Sequence, residues 1–588
     1  MSGGIVRLRE MSLEEIKAKL LAENKTVESL LAQVNDFYTE EECSKESVLV
    51  EALSELHNSG KIDFVKIVKE IDKNSYKNDF FSIMDLFENA LPLLNSKVED
   101  VLRCLVHLTQ QADSIGAYEA FQHFCRVEKK RPKDSVEFIL TQSELSAYAP
   151  FLSCSILAYD SNYMAEAIQT TKDLIADSNQ AVRNQAYFVL GRLNVNEAQA
   201  SVILELLISH ALTEEDTSCH ALILRGILHF GERFPSYWSQ IEEFLTPFVK
   251  DLPPEVLNVI SHILAFQSGN LPEGIKHLLV KELANISPEH KCTIDNIDHL
   301  LVNFMKRDLC SLTIELLESI LSAGVKLTQL DYFSHELLCK HQYQELRNHI
   351  ITKWFLSGKL SRCQAASDLL HDVTGKDIEL KADMALLEDD TKQIFVSHKA
   401  IGWLFTRPAL AASFILSICE TASTTIFNSL AQILYDPLLL SYPGELGQFF
   451  QSCIDKDVQG QLCEHLLGKL NAYHANIEKV YELNELMAPS ENVRVYWKSV
   501  DKEMQKAHEK ASESSIFEII ATKQRLLYGN SSIYYVHMGD GKSVRQEAQM
   551  HSFSHSTEMP RLNVLDPESL DYVLRIYRYG RMKNEANS

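Results

Sequence analysis

Apolar residues recur every three or four positions through most of the chain, which is the spacing of one face of an α-helix. The segment SKVEDVLRCLVHL is typical, and its apolar face consists of Val98, Val101, Leu102, Leu105 and Leu108. Ser96 and Glu99 have the spacing of a capping box, and Ser12 and Glu15 repeat it. In a capping box each side chain binds a backbone N–H at the start of a helix, so a helix is predicted after each pair.

Predicted helices follow one another in pairs joined by short polar turns, and residues 1–500 show no series of alternating strands. Segment 296–324 contains one such pair, with a break near 306–308 and Gly324 where the second helix ends. Glycine suits that place because it adopts the left-handed conformation that ends many helices. The pattern therefore predicts an all-α fold of stacked helix pairs.

An internal repeat supports this prediction. Segments 177–194 and 217–234 align at an offset of 40 residues. The matched positions include Val182 with Leu222, Ala186 with Gly226, Leu190 with Phe230, and Gly191 with Gly231. A small residue at 186 and 226 allows a neighbouring helix to approach closely, and the larger residues fill the seam between repeats. A period of about 40 residues is typical of HEAT and armadillo arrays.

Segment 177–194 also resembles the second half of a HEAT repeat, which has an Asp in a turn, then Val-Arg, Ala and Leu-Gly. The matching residues are Asp177, Val182, Arg183, Ala186, Leu190 and Gly191. The next repeat matches only in part, because Ile223 stands in the place of the arginine. The resemblance implies a right-handed α-solenoid that serves as a scaffold, adaptor or binding surface. Arg183 is interpreted as a structural residue that holds neighbouring repeats together.

Three regions are predicted along the chain. They are an N-terminal helical region at 1–130, a HEAT-like α-solenoid at 131–490, and a small C-terminal α+β module at 500–588. The module is expected to contain a short hairpin, with a strand at SSIYYV followed by a tight Asp-Gly turn, and a terminal helix. That helix is expected to begin at Pro567 after Asp566, because proline suits the first helical turn.

Charge is distributed unevenly along the chain. The 588 residues carry a formal net charge of −24, with 69 acidic and 45 basic residues in 1–500 and 12 of each in 501–588. An acidic body repels nucleic acid phosphates and attracts basic proteins. The charge therefore favours a protein partner, including a basic one, and counts against nucleic acid along the solenoid.

Cysteine usage and hydropathy predict a soluble cytoplasmic protein with no membrane partner and no cofactor. The 12 cysteines form no CxxC pair and are interpreted as reduced core thiols. The beginning of the chain lacks the apolar core of a signal peptide. The most apolar stretch, 400–420, is broken at Arg407-Pro408 and leaves too few apolar residues to span a bilayer.

The segment HMGDGKSVRQEAQMHSFSHSTEMPR, residues 537–561, is dense in groups that bind anions, ligate metals or transfer protons. Its GDGKS sequence is not a phosphate-binding loop, because Val536 occupies the place of the first required glycine. A tight hairpin turn is the favoured interpretation, followed by a polar loop.

Two further interpretations of this segment stay open. His551 and His555 are four residues apart, as a metal pair on a helix requires, and His537 could join them. However, the surrounding serines do not favour a helix, so no metal site is predicted. His551, His555, Glu558 and Arg561 are the candidate residues for acid–base or phosphoryl chemistry. A polar binding loop or a hydrogen-bonded structural segment is favoured over catalysis.

The chain ends in a basic and aromatic stripe, YVLRIYRYGRMK. Its candidate nucleic-acid-binding residues are Arg575, Arg578, Arg581 and Lys583. Two other interpretations are simpler. Basic residues in a last helical turn complement the helix dipole, and the stripe could dock on the acidic body of its own chain. Asp571 is placed to pair with Arg575.

The leading hypothesis is a scaffold or adaptor that binds a protein partner along an acidic helical-repeat surface. The alternative is that the C-terminal module is an effector, either an enzyme or a phosphate- or nucleic-acid-binding unit, recruited or regulated by the solenoid. No residue identifies a reaction, so an enzymatic role is not predicted.

Overall fold

The computed structural model describes residues 11–24, 26–41, 47–76, 78–112, 115–249, 252–371, 373, 378–455, 457–479, 483, 489–513, 531–538, 542–549 and 558–582. Within these residues the chain forms 31 α-helices and almost no strands. The predicted all-α class is therefore confirmed. Contacts divide the chain into two compact units, Met1–Leu300 and Leu301–Ser588.

The helices of the first unit are α1 (Leu13–Glu23), α2 (Val27–Glu41), α3 (Val48–Asn58), α4 (Phe64–Lys69), α5 (Lys73–Tyr76), α6 (Asn78–Ala90), α7 (Val98–Gln111), α8 (Ile115–Val127), α9 (Arg131–Leu140), α10 (Leu145–Tyr148), α11 (Pro150–Leu157), α12 (Met164–Ile175), α13 (Gln180–Leu190), α14 (Glu197–Thr213), α15 (Thr217–Arg233), α16 (Trp238–Phe248), α17 (Pro254–Phe266) and α18 (Glu273–Glu282). Helix α19 (Lys291–Lys306) crosses the boundary between the units.

The elements of the second unit are α20 (Cys310–Ser322), α21 (Asp331–Cys339), α22 (Gln344–Ser357), α23 (Leu360–Leu369), α24 (Asp390–Leu404), α25 (Pro408–Cys419), α26 (Thr424–Ile433), α27 (Pro443–Cys453), α28 (Asp457–Lys479), α29 (Ser490–Glu513), β1 (Ser531–Met538), β2 (Lys542–Gln549), α30 (Leu562–Leu565) and α31 (Pro567–Tyr579). Short 3-10 turns lie at Leu91–Leu93, Ser161–Tyr163, Pro235–Tyr237, Ser268–Asn270, Leu283–Asn285, Leu327–Gln329, His341–Tyr343 and Met384–Leu386, and a kinked π-helical segment lies at Leu434–Leu439.

Alternate helices pack against one another in the first unit. Helix α11 contacts α13, α13 contacts α15, and α15 contacts α17, while α12 and α14 pack beside α13 and α15. The contact between α13 and α15 is close because neither Gly191 nor Gly226 has a side chain. A Cβ atom on Gly191 would lie only 2.6 Å from the Gly226 Cα atom. The second unit repeats the alternate packing, with contacts between α22 and α24 and between α24 and α26.

Most predicted helix boundaries agree with the structure, but one capping box is wrong. Ser12 and Glu15 form the predicted box at the start of α1. Helix α7 instead begins at Val98, with Lys97 as its N-cap and no side-chain cap. The Ser96 hydroxyl lies 2.7 Å from the His57 Nε2 atom. A hydrogen bond to another helix has therefore replaced the local cap.

The boundaries in the second unit follow the predicted breaks. Helix α25 begins at Pro408 and α31 at Pro567, where Asp566 accepts a hydrogen bond from the Ser569 N–H. Gly324 has a left-handed φ of 98° beyond the end of α20. These three positions confirm the roles that the sequence assigned to proline and glycine.

The C-terminal hairpin is larger than the sequence predicts. Strand β1 confirms the predicted strand at SSIYYV, and it pairs with β2 in antiparallel register, with Val536 opposite Val544. Residues 542–549 form β2, the second strand of the hairpin, so the polar loop does not begin directly after the turn. Strand β2 accommodates polar side chains because Val544 and the next three residues are exposed to solvent. The predicted turn at 539–541 lies outside the described residues.

No helix within the described ranges is long and apolar enough to cross a membrane. Eight of the 11 cysteines that the structure describes are buried within apolar helical faces or turns close to them: Cys104, Cys125, Cys154, Cys219, Cys363, Cys419, Cys453 and Cys463. Burial raises the pKa of Cys104 and of Cys125 to about 12. These two thiols therefore stay protonated and unreactive at neutral pH.

Candidate functional site

The repeat signature lines a cleft in the first unit. The cleft has a volume of about 440 Å³ and lies between the end of α12, α13 and the turn that joins α14 to α15. Its lining residues are Ile175, Arg183, Tyr187, His210, Thr213, Glu214, Glu215 and Asp216. Three consecutive carboxylates stand at this turn, so the charges of the cleft decide what it can bind.

Arg183 neutralises one of these carboxylates. Its Nε and Nη2 atoms donate to the two carboxylate oxygens of Glu214 at 3.2 and 3.3 Å. Its Nη1 atom donates to the carbonyl oxygens of Asp177 and Ser178. A bidentate arginine–carboxylate pair fixes direction as well as distance. Arg183 thus ties α13 to the turn after α14.

Tyr187 completes the contacts of Glu214. Its hydroxyl donates to the Glu214 carboxylate at 3.0 Å. Burial alone would raise the pKa of Glu214, but the hydrogen bonds from Arg183 and Tyr187 lower it below its usual value. Burial and the Glu214 hydrogen bond raise the pKa of Tyr187. Glu214 therefore stays ionised and internally paired.

The other two carboxylates of the cleft differ from each other. Asp216 is the N-cap of α15 and accepts hydrogen bonds from the Ser218 and Cys219 N–H groups. Its carboxylate also accepts from the Gln180 side chain at 2.7 Å. Glu215 is exposed and forms no ion pair with the residues described. Glu215 is the carboxylate that remains for a ligand.

A second and larger cleft of the first unit is also acidic. It has a volume of about 620 Å³ and lies between the start of α7, the end of α8 and α9. Its lining residues are Asn95, Ser96, Lys97, Val98, Glu99, Glu128, Arg131, Asp134, Glu137, Phe138 and Thr141. Its four carboxylate residues are all exposed at the rim.

Arg131 does not neutralise this rim. Its side chain is buried, and its Nη1 and Nη2 atoms donate to the carbonyl oxygens of Phe124 and Leu94 at 2.9 and 3.3 Å. Its guanidinium lies 3.8 Å from the Phe124 ring centre. Only Glu128 lies close to it, with an oxygen 3.3 Å from Nε. Glu99, Asp134 and Glu137 form no ion pair within the described part of the chain.

Glu558 and Arg561, the described members of the candidate catalytic set, lie against α27. The Glu558 carboxylate accepts hydrogen bonds from the N–H groups of Gly444 and Glu445 at 2.9 and 2.5 Å. These N–H groups belong to the first turn of α27, which carries partial positive charge. Glu558 thus acts as a cap supplied from a distant part of the chain.

Arg561 anchors the same segment. Its backbone N–H donates to the Ser441 carbonyl at 2.9 Å, and its Nη1 atom lies 3.3 Å from His474 Nε2. His551 and His555 lie outside the described residues, as does the side chain of His537. The structure therefore brings Glu558 and Arg561 to one helix end, and it does not place the histidines of the candidate set.

The terminal helix α31 docks on α24 of the same unit. The Tyr577 ring stacks on the His398 ring, with centres 4.2 Å apart and planes 7° apart. The Arg578 Nε atom donates to the Gly402 carbonyl at 2.5 Å. Gly402 allows the close approach of α31, because a Cβ atom at this position would lie only 3.0 Å from the Arg578 backbone nitrogen. Docking on its own chain was one of the interpretations of the basic stripe.

The basic stripe is therefore divided between two faces. Arg578 points into the α24 contact, whereas Arg575 is exposed and pairs with Asp571 at 2.8 Å, as predicted. Arg581 is also exposed. Lys583 lies outside the described residues. Nucleic acid contact by the outward residues stays a prediction.

Lys399 is the residue in this contact that sequence reasoning missed. Its side chain is only 1% exposed, and its Nζ atom donates to the carbonyls of Arg578 and Gly580 at 2.6 and 2.7 Å. Burial lowers the pKa of Lys399 below its usual value. The available signal was a lysine within the apolar face of α24, since a buried lysine needs hydrogen-bond partners.

The described residues contain no cluster of three or more His, Cys, Asp or Glu side chains placed to hold a metal ion. A scan against models of known protein families finds no match to the chain, and a search of curated proteins finds no significant match.

Proposed function

We propose that the protein is a helical-repeat scaffold that binds a basic segment of a partner protein at the acidic clefts of its first unit. One observation carries this proposal. The exposed carboxylates of Glu99, Asp134, Glu137 and Glu215 line clefts between helices, and no described cation pairs with them. Lysine and arginine side chains of a partner are the groups that such carboxylates attract.

The alternate packing of helices supports a repeat architecture. In an α-solenoid each helix pair contacts its neighbours, so equivalent helices lie side by side. Helices α13 and α15 carry the two aligned repeat segments, and they pack directly against each other. With the 40-residue offset, this contact supports the proposal of HEAT-like stacking in the first unit. Such stacks offer extended surfaces for binding proteins.

The distribution of charge supports a basic partner. Residues 1–300 contain 45 acidic and 27 basic residues, a net charge of −18, whereas residues 301–588 have a net charge of −6. Complementary charge accelerates the encounter of two proteins and rejects partners of the same sign. The first unit therefore has the negative potential that attracts a basic partner. The acidic clefts are the places where that partner would bind.

A peptide-binding experiment tests the proposal. The probe is a fluorescein-labelled peptide of alternating lysine and serine, titrated with the full chain and followed by fluorescence anisotropy. The cleft variant combines Glu99→Gln, Asp134→Asn and Glu137→Gln. Removing three exposed charge pairs should weaken binding about tenfold, because each pair contributes up to about 1 kcal/mol.

A matched control separates the cleft from the overall charge. The control variant combines Glu166→Gln, Glu197→Gln and Glu243→Gln, which are exposed in the same unit and outside both clefts. It changes the net charge by the same amount, so it should weaken binding less than about twofold. Equal losses in the two variants would show that only long-range charge acts and would reject a cleft site.

A further inference from the structure

The first unit is acidic, but it contains one group of basic side chains. Arg225, His229 and Arg233 follow one another at four-residue intervals along α15, so they share one side of that helix. Arg192 at the end of α13 and His262 on α17 extend the group to the two helices that pack on α15. We call these five residues the basic ridge.

The contact between α13 and α15 holds two arginines of the basic ridge together. Arg192 follows Gly191, and Arg225 precedes Gly226, and these two glycines are in close contact. The Arg233 Nη1 atom donates to the Gly191 carbonyl at 3.4 Å, which brings the third arginine to the same place. Burial, and then the nearby Arg225 charge, lowers the pKa of Arg192 to about 10.

Aromatic rings pack against the side chains of the basic ridge near α13 and on α17. The Arg192 guanidinium lies 3.7 Å from the Phe188 ring centre. The Phe266 ring lies between His262 and His299, at 5.2 and 5.5 Å from their ring centres. Burial, and then the Arg225 charge, lowers the pKa of His262. The arginines thus act on the α17 side as well as on the α13 side.

Little negative charge offsets this group. Among the described residues, the only carboxylate that pairs with the basic ridge is Glu232, whose oxygen lies 3.5 Å from His229 Nδ1. Arg192, Arg225, Arg233 and His262 form no ion pair with a described residue, although the unit has 45 acidic residues. Like charges repel when they are held together, so an anionic ligand would stabilise the arrangement.

We propose that the basic ridge binds an acidic segment of a partner protein through its glutamate and aspartate carboxylates. The spacing of these basic side chains suits an extended chain. Residues four apart on a helix are separated by about 6 Å along its axis. Alternate side chains of an extended peptide are about 6.7 Å apart and point to one face. Alternating carboxylates could therefore meet Arg225, His229 and Arg233 in succession.

The same observations disfavour nucleic acid as the ligand. Single strands bind by stacking bases on open aromatic rings. In the basic ridge Arg192 covers the Phe188 ring, which leaves the exposed Phe266 as one ring for stacking rather than a row of rings for successive bases. The net charge of −18 on residues 1–300 also repels a long polyanion more strongly than it repels a short peptide with a few carboxylates.

The first test uses a labelled peptide of alternating glutamate and serine with the full chain, followed by fluorescence anisotropy. A peptide with glutamine in place of glutamate is the ligand control. The ridge variant combines Arg192→Gln and Arg225→Gln. It should bind the glutamate peptide at least about tenfold more weakly, because charge-assisted hydrogen bonds are among the strong ones. The variant Arg103→Gln with Arg126→Gln removes two arginines elsewhere in the unit and should change binding less than about twofold.

Single substitution of Arg225 guards against misfolding of the double variant. The Arg225 side chain forms no hydrogen bond with the described residues, so Arg225→Gln should keep the native circular dichroism spectrum and still weaken binding. Unchanged affinity in folded Arg225→Gln and in the folded double variant would overturn the proposal. Equal binding of the glutamine peptide would overturn it too. Tighter binding of a single-stranded oligonucleotide that displaces the peptide would identify nucleic acid as the ligand instead.

The basic ridge proposal goes beyond the proposed function and does not depend on it. The acidic clefts and the basic ridge require probes of opposite charge, and their variants share no residue. If the chain binds the glutamate peptide but not the lysine peptide, the basic ridge proposal stands and the acidic-cleft proposal is rejected. The reverse result would keep the clefts and reject the basic ridge.

Discussion

Gly191 sets the distance between α13 and α15. Alanine at this position would place its Cβ atom 2.6 Å from the Gly226 Cα atom, which is backbone and cannot rotate away. We predict that Gly191→Ala lowers the free energy of unfolding of the first unit by about 1 to 3 kcal/mol, the usual cost of overpacking. Urea denaturation followed by circular dichroism measures this loss.

Gly269→Ala is the control for this prediction. A Cβ atom on Gly269 would have no neighbour within 4 Å, so the substitution should change stability by less than about 0.5 kcal/mol. Equal stability of Gly191→Ala and the native chain would mean that the two helices have room to separate. The glycine contact would then not define the packing of the aligned repeats.

The role of a single residue could be predicted from the sequence when its partner is near in the chain or when the residue belongs to a motif. Arg183 belongs to a repeat signature, and Asp571 stands one turn before Arg575. Glu558 could not be interpreted in this way, because the N–H groups that it caps lie 114 and 113 residues away. A glutamate beside histidines suggested chemistry, whereas the fold uses it to hold a helix end.

At the scale of elements, the terminal helix α31 is held by groups that titrate. His398 lies under the Tyr577 ring, and burial, then the adjacent Lys399 charge, lowers the pKa of His398 below its usual value. The released helix exposes His398, which then binds a proton more readily. Docking stability is therefore complete above the ordinary histidine pKa of about 6.5 and is lost as the pH falls toward the lowered value.

Hydrogen exchange measures this pH dependence. The amides of 567–579 should exchange faster at pH 5.5 than at pH 7.5, after correction for the intrinsic rate. His398→Phe keeps a ring against Tyr577 and cannot titrate, so its docking should lose most of the pH dependence. Burial, and then the Asp566 charge, raises the pKa of Asp436, so its protonation acts in the opposite direction. Equal protection of the native helix at both pH values would contradict the prediction.

Elements were predictable where local signals act alone. Proline starts α25 and α31, and an apolar period of three to four residues defines most other helices. The short hairpin was predicted from β1 and the turn, but the eight-residue length of β2 was not, because its residues show no alternation of apolar and polar positions and β1 supplies its backbone hydrogen bonds. The Ser96 cap failed for a related reason, since His57 of another helix binds its hydroxyl. Tertiary partners decided both cases.

At the scale of the whole molecule, composition predicted the net negative charge but not the places where basic side chains gather. The excess of acidic residues was visible in the sequence, and so was the period that places α13 beside α15. The basic ridge was not visible, because its five residues lie on α15, on α17 and just beyond the end of α13, and are separated by up to 70 positions. Only the packing of those helices gathers them on one surface.

Salt should act more strongly on the first unit than on the second. The first unit has a net charge of −18 and the second −6, and self-repulsion of charge destabilises a compact state. Raising NaCl from about 0.01 to 0.15 M shortens the screening length from about 30 to 8 Å. Repulsion among the surface carboxylates, and among the arginines of the basic ridge, then weakens. We predict a larger rise in the urea midpoint of the first unit.

Pulsed hydrogen exchange in urea gives a separate midpoint for peptides from each unit. Sucrose at the same osmolality is the control, because it stabilises folded proteins without screening charge and should raise both midpoints similarly. An equal rise of both midpoints in NaCl would show that the salt acts as a general cosolute. A larger rise in the first unit would show that charge repulsion destabilises the unit that carries both proposed binding surfaces. Ligands of opposite sign should then relieve it at low salt, each at its own surface.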